Sequence, residues 1–161
     1  LVVDNLGKLI SYRKITSPRI AYIQALHLSN LSCANFYKSD IFSKVKFDIS
    51  LKAVADEKFF IDILKLKPKV KVVKKYLSIF SFTHKNLGMS ENSRNEYLRL
   101  KRKNPLFLRI FKYLIIFLYR FEKFINCCYF QKFPLVYEIY IDKLSRTCFK
   151  VNKGSWLWPK S

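Results

Sequence analysis

The sequence predicts an α/β fold in which a mixed core is followed by long basic helices. Strand-like and helix-like segments alternate over residues 1–82, a polar loop follows, and residues 96–130 are compatible with helix. Half of the 161 residues are hydrophobic and 17% are aromatic, enough to bury a core. We expect an α/β part over residues 1–100 and a basic helical extension with a tail over 101–161.

The first segments are short and alternate in type. Residues 1–14 are expected to form a strand pair around a turn at Asn5–Gly7, followed by a helix or a loop over 20–31. The apolar run at 32–37 predicts a short strand. In 38–45 the apolar residues share one face, which predicts a short helix.

The later segments are longer. The spacing of apolar residues predicts a helix over 56–66. Residues 67–82 alternate lysine with apolar residues and then become continuously apolar, which predicts a strand. The polar tract 83–95 is expected to be a loop, and 96–130 to be helical apart from a break at Pro105.

Two adjacent carboxylates, Asp56 and Glu57, open the helix predicted at 56–66. The chain contains only 11 acidic residues against 31 basic ones, so this pair is conspicuous. The simplest interpretation makes Asp56 an N-cap, with both charges favoured by the positive end of the helix dipole. A catalytic role needs support from the surrounding sequence.

The positive charge of the chain is concentrated in its later part. Residues 1–64 carry a net charge of +3 and residues 65–161 a net charge of +17. Such a basic block suits an anionic partner, either a nucleic acid or an anionic membrane surface. The alternative is the general excess of lysine found in proteins of AT-rich genomes.

The cysteine and histidine residues do not predict a metal site. The cysteines lack the spacing of a zinc site, and the two histidines are far apart in sequence. Without a secretion signal, reduced cysteines in the cytoplasm are the expectation. The opening at Leu1 reads as if it were already inside a strand, which suggests a piece of a longer protein. The cysteines are Cys33, Cys127, Cys128 and Cys148.

A basic and aromatic helix is predicted within residues 104–130. At about 100° per residue, Arg109, Lys112, Arg120 and Lys123 fall on one narrow stripe beside a broad apolar face. This pattern is typical of a helix that lies in the plane of a membrane, with its cations on anionic headgroups. The alternative is a core helix whose long basic side chains extend to solvent. The apolar run is too short to span a bilayer.

Nucleic acid binding is the third interpretation of the basic segment. Aromatic residues mixed with lysine and arginine can stack on bases and hold phosphates. Here, however, the aromatic residues lie opposite the basic stripe, so the two cannot share one groove. The sequence also lacks the signatures of common nucleic acid-binding modules. The pattern therefore does not favour a nucleic acid partner.

Three blocks of sequence resemble the second half of family 2 glycosyltransferases, the GT-A fold enzymes that build bacterial polysaccharides. The opening VVDNLGKLI is also similar to the segment that follows the metal-binding motif of these enzymes. The resemblance covers about residues 1–100 and implies a partial GT-A (Rossmann-like) core. In order, the blocks are ANFYKSDIFSKVKFD (34–48), ISLKAVADEKFFIDIL (49–64) and YLSIFSFTHKNLGMSEN (76–92).

The resemblance implies roles for individual residues. Asp56 falls on the family's catalytic base, which takes the proton from an acceptor hydroxyl as that oxygen attacks the anomeric carbon. Glu57 would be a neighbouring support. His84, Gly88 and Ser90 lie in the loop that borders the acceptor or the sugar diphosphate, and are implied to bind substrate.

The sequence departs from the family at the donor side. The nucleotide-binding half and its Asp-x-Asp motif are missing, and Asp4 is a poor substitute. A full-length relative would bind a nucleotide sugar, a glycan acceptor and a divalent ion, Mg²⁺ or Mn²⁺; for this chain alone no metal is expected. We therefore expect the C-terminal portion of a glycosyltransferase, inactive alone and peripheral at the inner face of the cytoplasmic membrane. The alternative is a non-enzymatic membrane-surface or interaction protein.

Overall fold

The chain is a mixed α/β protein, as the sequence predicts. The computed structural model describes residues 1–28, 30–83, 86, 88, 90–141 and 145–158. In this part of the chain, six α-helices accompany two small sheets. The elements are β1 (Val2–Val3), β2 (Leu9–Ser11), α1 (Ile20–Ala25), α2 (Ile41–Lys44), α3 (Ala55–Lys65), β3 (Phe80–Ser81), α4 (Glu91–Arg102), α5 (Leu106–Ile110), α6 (Lys112–Ile125), β4 (Leu135–Tyr140) and β5 (Arg146–Val151).

The first sheet has the strand order β2-β1-β3. β1 and β2 are antiparallel, which confirms the strand pair predicted for residues 1–14. β1 and β3 are parallel, and α1, α2 and α3 lie in the connection between them. Parallel neighbours require a crossover connection, so this arrangement is the α/β element of the fold.

The second sheet is the hairpin of β4 and β5, formed by the tail of the chain. The two strands pair in register from Leu135 opposite Val151 to Tyr140 opposite Arg146. Tyr137 belongs to the same buried cluster as Leu1, Val3 and Tyr12, which lie in or next to the first sheet. The hydrophobic core therefore joins residues on both sides of position 100.

A second apolar cluster fixes the position of α3. Phe59 and Ile63 occupy one face of this helix and are buried against Val45. Tyr37 and Ile41 pack against the same cluster from the segment before α3. Burial of a large apolar side chain contributes about 1.5–3 kcal/mol to stability, so this face holds α3 in place.

Three of the predicted segments differ from the structure. Residues 32–37 do not form a strand, and Ser32–Ala34 form a 3-10 turn instead. Of the strand predicted over 67–82, only Phe80–Ser81 pairs, because the alternating segment before it has no partner strand among the described residues. α4 begins at Glu91, inside the predicted loop, because the Ser90 side chain accepts a hydrogen bond from the amide of Ser93 and caps the helix.

Gly7 is the position where the backbone of the first hairpin requires glycine. Its φ is +80°, and an added Cβ would lie 2.4 Å from Ile139 Cδ1 and 2.9 Å from Phe149 Cζ. Gly7→Ala should therefore lower the free energy of unfolding by about 1–3 kcal/mol, through backbone strain and overpacking. Chemical denaturation measures the change. The control is Gly88→Ala, since an added Cβ there meets no atom within 4 Å; equal stability of the two variants would contradict this prediction.

Candidate functional site

Asp56 lies in the first turn of α3 but does not cap it. The helix begins at Ala55, and its N-cap is Val54, which makes no side-chain capping bond. The interpretation of Asp56 as the N-cap is therefore wrong. Asp56 is half-buried, and its Oδ1 accepts a hydrogen bond from the amide of Glu57 at 2.8 Å. This turn is at the positive end of the helix dipole.

Glu57 is the buried member of the pair, with 5% of its surface exposed. Its Oε1 lies 3.1 Å from Nζ of Lys101 on α4, and its Oε2 accepts a hydrogen bond from the amide of Leu28 at 3.1 Å. Burial raises the pKa of Glu57, and the charge of Lys101 opposes that rise. Glu57 thus links α3 to α4 and to the segment after α1.

A third carboxylate, that of Glu96, binds the backbone amides that precede α3. The side chain of Glu96 on α4 accepts hydrogen bonds from the amides of Lys52, Ala53 and Val54, the shortest at 2.8 Å. These bonds lower the pKa of Glu96. The sequence did not identify Glu96, because it lies more than 40 residues from its partners and has no local pattern.

Tyr37, Asn35 and Asn30 accompany Asp56 and form with it what we call the Asp56 cluster. Burial raises the pKa of Tyr37, a hydrogen bond with Asn35 opposes this, and the charge of Asp56 adds to the rise. The amide of Asn30 donates to Asn35 Oδ1, while its own buried Oδ1 has no partner. A half-buried carboxylate therefore lies near a phenol, and that phenol is hydrogen-bonded to the first of two linked amides, groups that bind hydroxyl-rich ligands.

The predicted substrate-binding loop residues are only partly described. His84 lies outside the described residues. Gly88 is exposed, with open space where a Cβ would stand. Ser90 caps α4. The structure thus gives Ser90 a role in the helix, and substrate binding by these residues stays a prediction.

The C-terminal helices leave a broad apolar face exposed. Arg109, Lys112 and Arg120 are exposed as well. The face runs along α5 and α6, and we call it the α6 face. Its members are exposed over 45–83% of their surface: Leu106, Phe107, Ile110, Phe111, Tyr113, Leu114, Phe117, Leu118, Phe121, Phe124 and Ile125.

The prediction that four cations face the membrane is wrong for one of them, Lys123. Only 8% of its surface is exposed, so it faces the protein interior. Its Nζ lies over the rings of Tyr119 and Tyr129, at 5.7 and 5.1 Å from their centroids. The helical wheel places Lys123 with the other cations, but it is on the edge of the stripe that packs against the core.

The divalent ion of a full-length relative does not fit the described residues. No three His, Cys, Asp or Glu side chains come together among them in a way that could hold a metal. Asp4 instead accepts hydrogen bonds from the amides of Leu6 and Lys8, at 2.9 and 2.8 Å, and closes the first hairpin.

Comparisons of the chain with family models, with curated proteins and with solved structures gave no match. Within the described residues, α-helices of sufficient length and hydropathy to cross a bilayer are absent.

Proposed function

We propose that this chain provides the acceptor side of a glycosyl transfer reaction, with Asp56 as the general base and with an anionic membrane as its support. In this proposal, residues 1–100 correspond to the second half of a GT-A domain. The nucleotide sugar and the divalent ion are bound by residues other than those described here.

The observation that carries the proposal is that the two adjacent carboxylates, Asp56 and Glu57, have different surroundings. Glu57 is buried and paired with Lys101, so its role is in holding the fold. Asp56 forms no ion pair within 4 Å in the described chain and is half-buried at the start of a helix. This leaves its carboxylate available to a ligand, as a general base requires.

The chemistry follows from the position of Asp56. An acceptor hydroxyl that lies within hydrogen-bond reach of the carboxylate transfers its proton to Asp56 as the oxygen attacks the anomeric carbon of the donor. The new glycosidic bond forms while the bond to the nucleotide diphosphate breaks. Tyr37 and Asn35 beside Asp56 supply hydrogen bonds that orient the acceptor.

The α6 face supports a membrane position for this reaction. Exposed apolar patches larger than a few hundred Å² are uncommon on monomeric soluble proteins and mark interaction surfaces. Arg109, Lys112 and Arg120 border the patch, and anionic lipids attract each cation near the surface by about 1 kcal/mol. A lipid-linked acceptor at the inner face of the cytoplasmic membrane would lie within reach of such a support.

The test of the proposal is incorporation of radiolabelled sugar. Membranes from cells that make the gene product containing this chain are incubated with a panel of nucleotide sugars, and label is counted in the lipid and polysaccharide fractions. Transfer above that of cells lacking the gene supports the proposal. Equal counts with every nucleotide sugar would contradict it.

The α6 face by itself favours a second candidate, a non-enzymatic protein of the membrane surface. The Phe117→Ser, Phe121→Ser double variant should weaken binding to anionic vesicles by about tenfold or more, since each ring buries apolar surface in the bilayer. Vesicle sedimentation measures this. The control is Phe36→Ser, because Phe36 is 77% exposed in another part of the chain; unchanged binding by the double variant would remove the membrane from both candidates.

A further inference from the structure

A cleft separates strand β4 from the segment that leads into β3. Its volume is about 460 Å³, and its lining consists of Leu1, residues 76–79 and residues 135–140. All six residues of β4 line the cleft, although Leu135, Tyr137 and Ile139 pack towards the core and the residues between them are exposed. Since successive side chains of a strand point to opposite faces, the cleft runs along the backbone edge of β4.

The edge of β4 along the cleft has no partner strand. β4 pairs only with β5 in the described chain. In an antiparallel pair the backbone groups of alternate residues point away from the partner strand. In β4 these groups make no backbone hydrogen bond with the described residues outside β5. An unpaired strand edge is a template for another extended chain.

The opposite wall of the cleft has a second free edge. The carbonyl of Ser78 accepts a hydrogen bond from the amino group of Leu1 at 2.9 Å, and the amide of Phe80 donates to the Leu1 carbonyl at 2.8 Å. Because alternate residues of a paired strand point to opposite sides, the backbone groups of Leu77 and Ile79 point away from β1. They make no backbone hydrogen bond within the described chain. The cleft is therefore bordered on both sides by backbone groups that another strand could pair with.

The chain that leads into the cleft is strongly basic. Between Asp62 and Glu91 the sequence contains no acidic residue. Of the residues that line the cleft only Glu138 is acidic, and it pairs with Arg146 at 3.7 Å. Five exposed lysines precede the cleft and form no ion pair within the described chain: Lys67, Lys69, Lys71, Lys74 and Lys75. Complementary charge on a partner is therefore negative.

The walls of the cleft also offer apolar contacts. Tyr76 and Ile79 pack against the buried cluster from one wall, and Leu135 and Ile139 pack against it from the other. A strand placed between these walls would direct every second side chain to this apolar side and the others to solvent. The partner that fits is therefore an extended chain in which apolar and acidic residues alternate.

We propose that the cleft binds an extended acidic peptide of a partner protein by β-strand addition. In this mode main-chain hydrogen bonds provide the affinity, and contacts with alternate side chains provide the specificity. The wall formed by residues 76–79 pairs with about four residues of the peptide, a length of about 13 Å. The site is independent of the glycosyl transfer proposed above, since it uses neither Asp56 nor the α6 face.

The first experiment measures binding of a fluorescent synthetic peptide, in which glutamate and valine alternate, by fluorescence anisotropy at physiological salt. We expect saturable binding. Two further peptides carry N-methyl groups on the backbone amides of either the glutamates or the valines, so each loses the donors of one edge and keeps the charge. Because the cleft has two free edges, both should bind about tenfold more weakly or worse, the effect of losing two main-chain hydrogen bonds. Equal binding of all three peptides would overturn the proposal.

The second experiment separates the lysines beside the cleft from the general charge of the chain. The Lys74→Glu, Lys75→Glu double variant should weaken binding of the unmethylated peptide by about tenfold or more, since it replaces attraction by repulsion. The matched control is the Lys38→Glu, Lys46→Glu double variant, which makes the same change in net charge at two exposed positions on either side of α2. An equal loss of affinity in the two double variants would contradict binding at the cleft.

Amide hydrogen exchange gives a readout that simple attraction between charges would not change. The bound peptide should slow exchange at Leu77 and Ile79 and along β4, because their free backbone groups become hydrogen-bonded. Unchanged exchange at these amides, or a peptide that does not bind, overturns the proposal. If, in addition, the Lys74→Glu, Lys75→Glu variant sediments less with phosphatidylserine vesicles than the wild type does, the lysines are assigned to an anionic membrane instead.

Discussion

Replacement of Asp56 by asparagine is expected to lower the rate of glycosyl transfer by about 10²–10⁴-fold, because the amide cannot take the proton of the acceptor hydroxyl. The fold should be unchanged. The hydrogen bond that Asp56 makes is to the amide of Glu57, at 2.8 Å, and the carbonyl oxygen of asparagine can accept the same bond. The measurement is sugar incorporation by membranes that carry equal amounts of the wild-type protein and the variant.

The matched control is Asp62→Asn on the same helix. Asp62 is paired at the surface with Lys58 and Lys65, at 2.6 and 2.7 Å. Exposed pairs of this kind contribute little, about 0–1 kcal/mol, so this variant should retain transfer. Transfer by Asp56→Asn equal to that of Asp62→Asn would remove Asp56 from the role of base and leave the membrane-surface protein as the better account.

Local patterns in the sequence predicted the first hairpin and the helix α3. The first hairpin followed from two apolar runs around Gly7, whose left-handed backbone favours glycine. The helix α3 followed from apolar residues at helical spacing, and Phe59 and Ile63 are buried as that spacing requires. In both cases the pattern lies within a few residues of chain, although Phe59 and Ile63 then pack against Val45 and Tyr37 from an earlier segment.

The partners of the carboxylates could not be predicted in this way. Lys101 is 44 residues from Glu57, and Glu96 is 42 to 44 residues from the amides it accepts from. A single buried ion pair leaves no periodic pattern in the sequence. Glutamate and lysine on an exposed helix give the same sequence pattern, so burial cannot be predicted from it. Asp56 was identified through the resemblance to family 2 glycosyltransferases. Tyr37 gave no such signal, because it is one aromatic residue within an apolar stretch.

The error at Lys123 shows the limit of a helical wheel. The wheel correctly groups Lys123 with Arg109, Lys112 and Arg120, but it does not say which edge of the stripe meets the core. Tyr129, which follows the helix, lies against Lys123 at 5.1 Å from its ring centroid to Nζ. One of the two rings that cover Lys123 therefore comes from the chain beyond the helix, and the other, Tyr119, from the helix itself.

Lys101→Met is expected to lower the free energy of unfolding by about 3–5 kcal/mol at neutral pH, because it leaves the charge of Glu57 buried without its partner. The side chains of Glu57 and Lys101 are only 7% and 17% exposed, so solvent cannot replace the lost interaction. Lys101 Nζ also donates to the carbonyl of Ile23 at 2.7 Å. Chemical denaturation followed by circular dichroism measures the loss.

The control is the double variant Glu57→Gln, Lys101→Met. It removes both charges, so much of the lost stability should return; if it is no more stable than Lys101→Met, the unpaired charge is not the cause.

The pH dependence separates an unpaired charge from lost packing. Burial raises the pKa of Glu57 and the charge of Lys101 lowers it, so removing Lys101 should raise that pKa further. Folded Lys101→Met then binds the Glu57 proton more tightly than the unfolded chain does, and its stability falls as the pH rises through that raised pKa. The deficit relative to wild type should therefore shrink as the pH is lowered from 7 towards the ordinary range of glutamate. A deficit that does not change with pH would mean that methionine disturbs the packing of α4 against α1 and α3.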